Sequence, residues 1–235
     1  MDEKVSVAMA TYNGEKYIKK QIESILLNLN EADELVISDD GSTDNTINII
    51  IGFMKNDKRI NLVNGPKLGI KQNFANAIDN STGKYIFLSD QDDIWMENKK
   101  EIVIETFKKE KCTLVIHDAE IVDENLNIIN ESFFNYRNCG EGYWKNICKN
   151  TYIGCCMAFS KELKDKILPI PNNIQMHDQW IGIINDIVGK SCFLHKTLIR
   201  YRRHNSNNSQ LKHNPVLIMI KNRIILIFEL ARRIF

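Results

Sequence analysis

The sequence predicts an α/β fold whose first half is built on a parallel sheet. Within the first ninety residues, four apolar segments of strand length alternate with three segments of helical periodicity, a pattern typical of parallel strands connected by helices. Polar motifs follow the first, second and fourth of these strands. Because ligands of open α/β sheets bind beyond the carboxyl ends of the strands, we expect the three motifs to form one site.

The individual elements are predicted from apolar runs, helical spacing and turn residues. In the first half, strands are predicted at 5–10, 35–37, 60–63 and 85–88, and helices at 15–29, 43–54 and 69–78. The second half is less regular. Strands are predicted there at 113–117, 152–159 and 192–198, with 119–122 either continuing or returning the first of them, and helices at 161–167 and 176–188. Residues 135–150 show no clear period, and the polar stretch after His204 predicts a loop.

Composition limits the class of protein. The chain has 235 residues, of which 43% are hydrophobic, enough for one sizeable core. The net charge of +1 gives no sign of a polyanion binder, so no nucleic-acid partner is expected. The six cysteines form no Cys-x-x-Cys pair. Together with the lack of a signal-peptide pattern, this predicts reduced thiols and a cytoplasmic location.

Asp90-Gln91-Asp92-Asp93 is the most informative segment, because it places three carboxylates directly after a predicted strand. These carboxylates repel one another, and packing at a strand end also removes their solvation. Oxygen ligands of this kind suit Mg²⁺ or Mn²⁺, which often bridge to substrate phosphates. The segment therefore predicts a metal site, with a solvated acidic turn as the alternative.

Two further carboxylates, Asp39 and Asp40, end the second predicted strand. They indicate either a turn with a helix cap or a nucleoside pocket in which one carboxylate accepts a hydrogen bond from a nucleobase. Residues 11–13 would add an aromatic ring, that of Tyr12, to stack on the base. The sequence contains no glycine-rich phosphate loop.

The second half contains two candidate sites of its own. Asp178 lies beside His177 and Trp180 at the start of a predicted helix, either as an acid stabilised by the helix dipole or as a general base facing a pocket. His204 follows three nearby arginines. Neighbouring cations favour the neutral imidazole, which is the form that ligates metals. The alternative is a basic surface loop.

Taken together and in order, these motifs resemble glycosyltransferase family 2, the inverting enzymes of the GT-A fold. Residues 5–13 resemble the opening strand, 37–44 the Asp-Asp-Gly-Ser-Thr-Asp signature, 69–85 the lead-in to the metal motif, 90–95 the Asp-x-Asp motif, and 177–180 and 201–204 two later elements. The form Ser-Asp-Gln-Asp-Asp-Ile-Trp is most similar to rhamnosyltransferase-like members. The resemblance covers about residues 4–210. It implies a GT-A domain at 1–210, with a Rossmann-like nucleotide-binding half at 1–95 and a mixed-sheet acceptor half at 96–210.

The resemblance also implies a role for each matching residue. Asp178 is expected to be the catalytic base. The expected ligands of Mn²⁺ or Mg²⁺ are Asp92, Asp90 and His204. The expected nucleotide-binding residues are Thr11, Tyr12, Asn13, Glu15, Asp39, Asp40, Asn73 and Asp90. The expected supporting or acceptor-site residues are Asp93, Trp95, His177 and Trp180. The implied partners are a UDP- or dTDP-linked sugar, such as dTDP-rhamnose, and a carbohydrate or lipid-linked acceptor of surface-polysaccharide synthesis.

Residues 211–235 are predicted to form a C-terminal amphipathic helical segment. From residue 196 to residue 235, nine Lys and Arg residues oppose one acid, Glu229, which gives +8 and leaves −7 for the remainder. The apolar stretch from 216 carries too many charges to span a bilayer. It is predicted either to lie on an anionic membrane surface at the inner face of the cell membrane, or to pack on the catalytic domain or another subunit.

Two other functions stay open on sequence grounds. One is a non-catalytic scaffold that binds nucleotide sugars. The other is a nucleotidyltransferase, which also combines an α/β sheet with an acidic metal site. Metal-dependent turnover of a sugar nucleotide would exclude the scaffold, and pyrophosphate release from a sugar phosphate and a nucleoside triphosphate would indicate the nucleotidyltransferase.

Overall fold

The computed structural model describes residues 3–204 and 215–234. Its strands are β1 (Val5–Thr11), β2 (Glu34–Asp39), β3 (Ile60–Asn64), β4 (Tyr85–Ser89), β5 (Ile94–Trp95), β6 (Leu114–Val122), β7 (Ile128–Asn130), β8 (Met157–Ser160) and β9 (Ser191–Arg202). Its helices are α1 (Ile18–Leu26), α2 (Thr46–Met54), α3 (Ile70–Asp79), α4 (Lys99–Glu110), α5 (Phe133–Arg137), α6 (Tyr143–Cys148), α7 (Lys161–Ile167), α8 (His177–Val188) and α9 (Val216–Ile234). The strands form one sheet in the order β3-β2-β1-β4-β8-β6-β9-β5, with β7 paired to β6.

The first half confirms the predicted parallel sheet. β2 lies between β3 and β1, β1 lies between β2 and β4, and all these pairs are parallel. Every residue of β1 and β2 is buried, which is why neither strand alternates between apolar and polar residues. The chain winds from β1 out to β3 and then returns to β4 on the other side of β1. A crevice therefore opens at the carboxyl ends of β1 and β4.

The second half makes the sheet mixed, which confirms the α/β fold expected from the resemblance. β8 runs antiparallel to both β4 and β6, while β9 runs parallel to β6 and carries β5 on its other edge. The pairing of β5 with β9 sets Ile94 opposite Arg200. Because β5 follows the acidic motif and Arg200 precedes the segment 201–204, this pairing brings the two motifs together.

One predicted strand is largely wrong. Of residues 152–159, only the last three belong to a strand, β8, because Gly154–Cys156 forms a 3-10 turn. A Cβ added at Gly154 would lie 2.9 Å from Nε2 of His177, so the missing side chain permits a close approach between the turn and α8. The segment is buried and therefore apolar, as a strand would be, but its small residues allow a tight turn instead.

Three other segments differ from expectation in extent. Residues 119–122 continue the preceding strand as part of β6, and the strand predicted at 192–198 extends through Arg202 as β9. The segment 135–150, which has no clear period, contains the end of α5 and all of α6. These helices have five and six residues, too few for a helical period to emerge from the sequence.

The predicted C-terminal helix is present as α9, and one of its faces packs on the domain. Leu226 and Leu230 are buried, and the guanidinium carbon of Arg233 lies 5.3 Å from the ring centroid of Trp180. The packing alternative is therefore confirmed for this face. The predicted domain boundary at 210/211 and the loop predicted after His204 lie outside the described residues.

The opposite face of α9 is apolar and exposed. Leu217, Ile224 and Phe228 are 82%, 63% and 58% exposed, and the charged side chains Lys221 and Arg232 are also exposed. Among residues 3–204 and 215–234, no helix combines the length and the apolar character needed to cross a bilayer.

Candidate active site

The crevice between β1 and β4 holds the first two sequence motifs in direct contact. Gln91 accepts a hydrogen bond from the backbone amide of Tyr12 at 3.0 Å and donates one to its carbonyl at 3.1 Å. The Tyr12 side chain is 56% exposed, so its ring is available to a ligand. Gln91 was not predicted as a site residue, and this pair of bonds joins the loop after β1 to the acidic motif after β4.

Asp39 and Asp40 shape the loop that follows β2. The carboxylate of Asp39 accepts hydrogen bonds from the Thr11 hydroxyl, from the backbone amides of Gly41 and Ser42, and from the Ser42 hydroxyl, at 2.6–3.0 Å. The carboxylate of Asp40 accepts two backbone amides of the loop before α3, at 2.6 and 2.8 Å. Each oxygen of Asp39 therefore already accepts two bonds, while each oxygen of Asp40 accepts one and retains capacity for a ligand.

Three other predicted nucleotide-binding residues also support loops. Glu15 accepts the backbone amide of Asn45 at 2.9 Å, just before α2. Asn13 has a positive φ of 49° and accepts the Thr43 amide at 2.8 Å. Asn73 is buried and donates to the Thr11 carbonyl at 3.0 Å. These contacts hold the loops after β1 and β2 in fixed positions around the crevice.

The acidic motif and the 3-10 turn form a buried cluster. One ligand atom each from Asp90, Asp93 and Cys155 lie within 4.8 Å of one another. Burial, and then the charges of Asp93 and Asp92, raise the pKa of Asp90 well above its usual range. Burial and the charge of Asp92 raise the pKa of Asp93 to about 7. Both shifts have the sign expected for carboxylates crowded together away from water.

Asp92 points to the other side of the motif, where it meets His204. Nε2 of His204 lies 2.7 Å from a carboxylate oxygen of Asp92, and its ring stacks on Tyr17 with centroids 4.7 Å apart. Arg202 donates its backbone amide to Asp93 at 3.0 Å and its Nε to the Asp92 carbonyl at 2.7 Å. Arg202, at the end of β9, thus holds the acidic motif through hydrogen bonds from both its backbone and its side chain.

The donor set fits a hard divalent cation. It offers carboxylate oxygens from Asp90, Asp92 and Asp93, which suit Mn²⁺ or Mg²⁺, with the imidazole of His204 beside them at Asp92. One buried oxygen of Asp93 has no hydrogen-bond partner among the described residues. A cation would offset the repulsion that raises the pKa values of Asp90 and Asp93.

Asp178 lies in the first turn of α8 and is 7% exposed. Its carboxylate accepts hydrogen bonds from the side chain of Asn150 at 3.2 Å and from the amide of Gln179 at 2.6 Å. Burial raises the pKa of Asp178 to about 6, and the bonds from Gln179, Asn150 and the Gly154 amide oppose that rise. The turn at 154–156 thus contacts Asp178 at one end and, through Cys155, the acidic cluster.

Asp178 also lines a cavity of about 910 Å³ between the second half of the sheet and α9. The walls combine aromatic and aliphatic side chains with several cations, and α9 contributes Met219, Asn222, Arg223 and Leu226. The residues placed above at the ends of β1, β2 and β4 are not among those that line it. Asp178 therefore faces the cavity, and because its charge also contributes to the raised pKa of Asp90, the cavity adjoins the acidic motif.

The other predicted supporting residues belong to the core. His177 stacks on Phe74 with centroids 4.2 Å apart, and burial lowers its pKa to about 3. Trp180 is fully buried and donates its indole N–H to the Ile167 carbonyl at 2.8 Å. Trp95 is 4% exposed. These side chains position α8 and β5 and do not line the cavity.

Gln21 is a further residue that sequence reasoning missed. Its side-chain amide donates to the Ser89 hydroxyl at 2.7 Å and to the Asp90 carbonyl at 3.0 Å. The sequence feature that could have revealed Gln21 is its position as a polar residue on the buried face of α1, which also carries Ile18, Ile22 and Ile25. Such a residue needs a polar partner across the helix–sheet interface.

Lys99 was missed as well. Its ammonium lies 3.2 Å from the Cys155 carbonyl and 4.0 Å from the ring centroid of Trp95. Burial lowers its pKa to about 8 against the opposing charges of Cys156, Cys155 and Asp93. The sequence feature that could have revealed Lys99 is its position in the first turn of a helix, where acidic residues are favoured.

Comparison with known proteins agrees with this architecture. The family model described as "Glycosyl transferase family 2" matches residues 6–168. An uncharacterised glycosyltransferase of Nostoc sp. is 27% identical over 87% of this chain and 66% of its own length. WfgD of Escherichia coli, a UDP-Glc:alpha-D-GlcNAc-diphosphoundecaprenol beta-1,3-glucosyltransferase, is 34% identical over 52% of this chain and 47% of its own length. The chain thus spans no more than two thirds of either relative.

Among solved structures, S. aureus TarS in complex with UDP-GlcNAc superposes with a TM-score of 0.76 at 17% identity, covering 96% of this chain and 66% of that one. At that identity the likeness establishes the fold, which is that of GT-A glycosyltransferases. Since the family model covers more than half of the sequence, in the region that contains the crevice and the acidic cluster, the chain belongs to glycosyl transferase family 2.

Proposed function

We propose that this chain transfers a sugar, with inversion, from a UDP- or dTDP-linked donor to an acceptor hydroxyl in surface-polysaccharide synthesis. The observation that carries the proposal is the turn at Gly154–Cys156. It contacts the acidic cluster through Cys155 and the Asp178 carboxylate through the Gly154 amide. The turn thus brings the proposed base beside the acidic cluster, and an inverting transferase needs a base that can reach the acceptor on the side of the sugar opposite to the leaving nucleoside diphosphate.

The donor is placed in the crevice between β1 and β4. Tyr12 offers an exposed ring for stacking on the base, and Asp40 retains acceptor capacity. Asp39 joins the two loops that carry them through its bonds to Thr11 and Ser42. The UDP-Glc used by WfgD and the UDP-GlcNAc bound in the TarS structure support a uridine nucleotide. The resemblance of 89–95 to rhamnosyltransferase-like members supports dTDP-rhamnose as the narrower alternative.

A divalent metal is assigned to Asp90, Asp92, Asp93 and His204. When bound, Mn²⁺ or Mg²⁺ offsets the charge that develops on the departing nucleoside diphosphate. The chain's own contribution is to hold these side chains together. Arg202 fixes Asp92 and Asp93, and Gln21 fixes the backbone at Asp90.

Asp178 is assigned as the base that removes the proton from the acceptor hydroxyl. With a pKa of about 6, it is mostly ionised at neutral pH and still basic enough to accept a proton, which is the range in which a general base is most effective. Asn150 and Gln179 fix the orientation of the carboxylate. The hydroxyl oxygen then attacks the anomeric carbon from the side opposite to the nucleoside diphosphate, and one displacement inverts that centre.

The exposed face of α9 is assigned to an anionic membrane surface, with the chain peripheral to the inner face of the cell membrane. Leu217, Ile224 and Phe228 are exposed on a helix whose other face is anchored to the domain. Exposed Lys221 and Arg232 supply the positive charge that anionic lipids attract.

Turnover of sugar nucleotides tests the proposal. Purified protein is incubated with UDP- and dTDP-sugars, Mn²⁺ and membrane-derived acceptor lipids, and release of nucleoside diphosphate is measured with and without chelator. We expect metal-dependent release that requires acceptor and is lost in Asp92→Asn. Donor binding without turnover would favour the scaffold, and pyrophosphate release from a sugar phosphate and a nucleoside triphosphate would favour the nucleotidyltransferase.

A further inference from the structure

The cavity that Asp178 lines is strongly cationic. Four of its lining side chains are positive, namely Arg137, Lys149, Arg203 and Arg223, and Asp178 is its one acidic lining residue among the described residues. Arg137, Arg203 and Arg223 are half-buried. Placing several cations together in a partly desolvated space is unfavourable unless an anion offsets them.

Two of these cations, Lys149 and Arg223, lie at one short segment, and Arg137 lines the same cavity. The guanidinium of Arg223, on α9, donates to the carbonyl of Cys148, and the ammonium of Lys149 lies 3.5 Å from the carbonyl of Arg137. Within the described part of the chain, no carboxylate lies at ion-pair distance from Arg137, Lys149 or Arg223. Their positive charge is therefore not neutralised by the protein.

The same segment continues directly to the proposed base. Asn150, the residue after Lys149, donates to Asp178 at 3.2 Å. The cations around 148–149 and the Asp178 carboxylate therefore line the same cavity and are linked through adjacent residues of one segment. Arg137, Lys149 and Arg223 line the cavity, whereas the residues assigned to the donor do not.

The apolar part of the cavity wall limits the kind of anion further. Ile147, Tyr152 and Ile153 line it from the acceptor half, and Met219 and Leu226 line it from α9. A small inorganic anion would fill little of the cavity of about 910 Å³. A sugar or an alkyl chain that bears the anionic group would contact them.

We propose that the cavity is an acceptor subsite for a phosphate- or diphosphate-bearing glycan, with Arg137, Lys149 and Arg223 binding the phosphate while the acceptor hydroxyl faces Asp178. Arginine suits this task because its planar guanidinium binds phosphate oxygens in pairs. The inference rests on the proposed function, because it defines the acceptor of the same reaction.

The test is calorimetric binding of geranyl diphosphate in chelator, so that no metal captures the probe, with a parallel titration in which UDP competes for the donor crevice. We expect binding to the wild type, and weakening by about tenfold or more in Arg137→Gln and Arg223→Gln, since each loses a charge-assisted contact. Arg232→Gln is the matched control, because Arg232 lies on the same helix with its side chain 66% exposed and does not line the cavity. Its affinity should equal that of the wild type.

Three further probes define the ligand chemistry. Geraniol should bind undetectably, and geranic acid weakly, because the first lacks the anion and the second lacks the phosphate geometry. Inorganic pyrophosphate should bind more weakly than geranyl diphosphate if the source is a lipid-linked acceptor, whereas equal affinity would indicate that the phosphate alone is recognised. Equal binding of geranic acid would overturn the phosphate assignment.

Equal affinity of the wild type, Arg137→Gln and Arg223→Gln would overturn the subsite, as would displacement of geranyl diphosphate by UDP. Arg137→Gln keeps the test valid if Arg223→Gln weakens the anchoring of α9, because among residues 3–204 and 215–234 the Arg137 side chain has no ion pair. None of these measurements uses turnover. Binding without sugar transfer would therefore contradict the proposed function and leave the subsite standing, and transfer without binding would do the reverse.

Discussion

Asp178→Asn tests the proposed base, and the structure predicts opposite effects on activity and stability. The asparagine keeps the shape of the side chain and an oxygen that can accept the hydrogen bonds from Asn150 and Gln179. It cannot accept a proton from the acceptor. A positioned base contributes about 10²–10⁴-fold to rate, so sugar transfer should fall by that order while UDP binding stays near the wild-type value.

The effect on stability follows from the raised pKa. The pKa of Asp178 is about 6 in the folded chain against the ordinary 3.8, so the folded state favours the protonated carboxyl. The stabilisation is fully present below about pH 4 and is lost as pH rises through about 6. Since one pKa unit corresponds to about 1.36 kcal/mol, ionised Asp178 costs about 3 kcal/mol of folding free energy at neutral pH.

Urea unfolding at pH 7.5 and pH 4, without metal or nucleotide, measures this cost. Asp178→Asn should be more stable than the wild type by up to about 3 kcal/mol at the higher pH, with little difference at the lower one. The transfer rate of the wild type should rise with pH through about 6, and the residual rate of the variant should not. Wild-type transfer by Asp178→Asn would place the base elsewhere, and a variant less stable at pH 7.5 would refute the stability argument.

Four further predictions address the donor crevice, the metal and α9. Asp92→Asn should abolish donor turnover and weaken Mn²⁺-dependent UDP binding, because it removes the charge 2.7 Å from His204; full activity in chelator would contradict this. Asp39→Ala should weaken UDP or dTDP binding by about tenfold in calorimetry, since the loop loses bonds from Thr11 and Ser42; tighter binding of GDP or ADP would count against a pyrimidine pocket. Gln21→Leu should lower the free energy of unfolding by about 1–3 kcal/mol and weaken UDP binding, because Ser89 and the Asp90 carbonyl lose a donor; exposed Lys20→Leu is the control, and equal stability of both variants would show that Gln21 is not an anchor. Ile220→Glu with Ile224→Glu should abolish flotation with anionic liposomes, whereas Lys58→Glu should not; flotation of the double variant at the wild-type level would exclude the exposed face of α9 as the membrane contact.

Local sequence was sufficient for the parallel half of the sheet and for the order of the motifs. Apolar runs such as 35–37, separated by helical spacing, predicted β1 to β4 because parallel strands are buried on both faces. The carboxylates after β4 marked a site because their repulsion is evident from spacing alone. The membership of the family followed from the same ordered motifs.

Tertiary structure decided which polar groups meet across long separations. Gln21 meets Asp90, Gln91 meets Tyr12, and Arg202 meets Asp92. None of these pairs is close in sequence, and a helical or strand period does not encode which polar side chain a neighbouring element will offer. The sequence could mark Gln21 as unusual in its stripe, but only the packing of α1 on β4 identified its partner.

The acceptor side depended most on tertiary structure. The sequence of 152–159 determined burial, but the turn that carries Gly154 and Cys155 depends on close packing against α8 and β4. Likewise, the amphipathic pattern of α9 determined that it has an apolar face. Only its docking through Leu226 and Leu230 decided that Arg223 enters the wall of the cavity beside Asp178 while Ile224 faces outward. The physical reason is that burial is set by residue type, whereas the partner of each buried or charged group is set by contacts between distant parts of the chain.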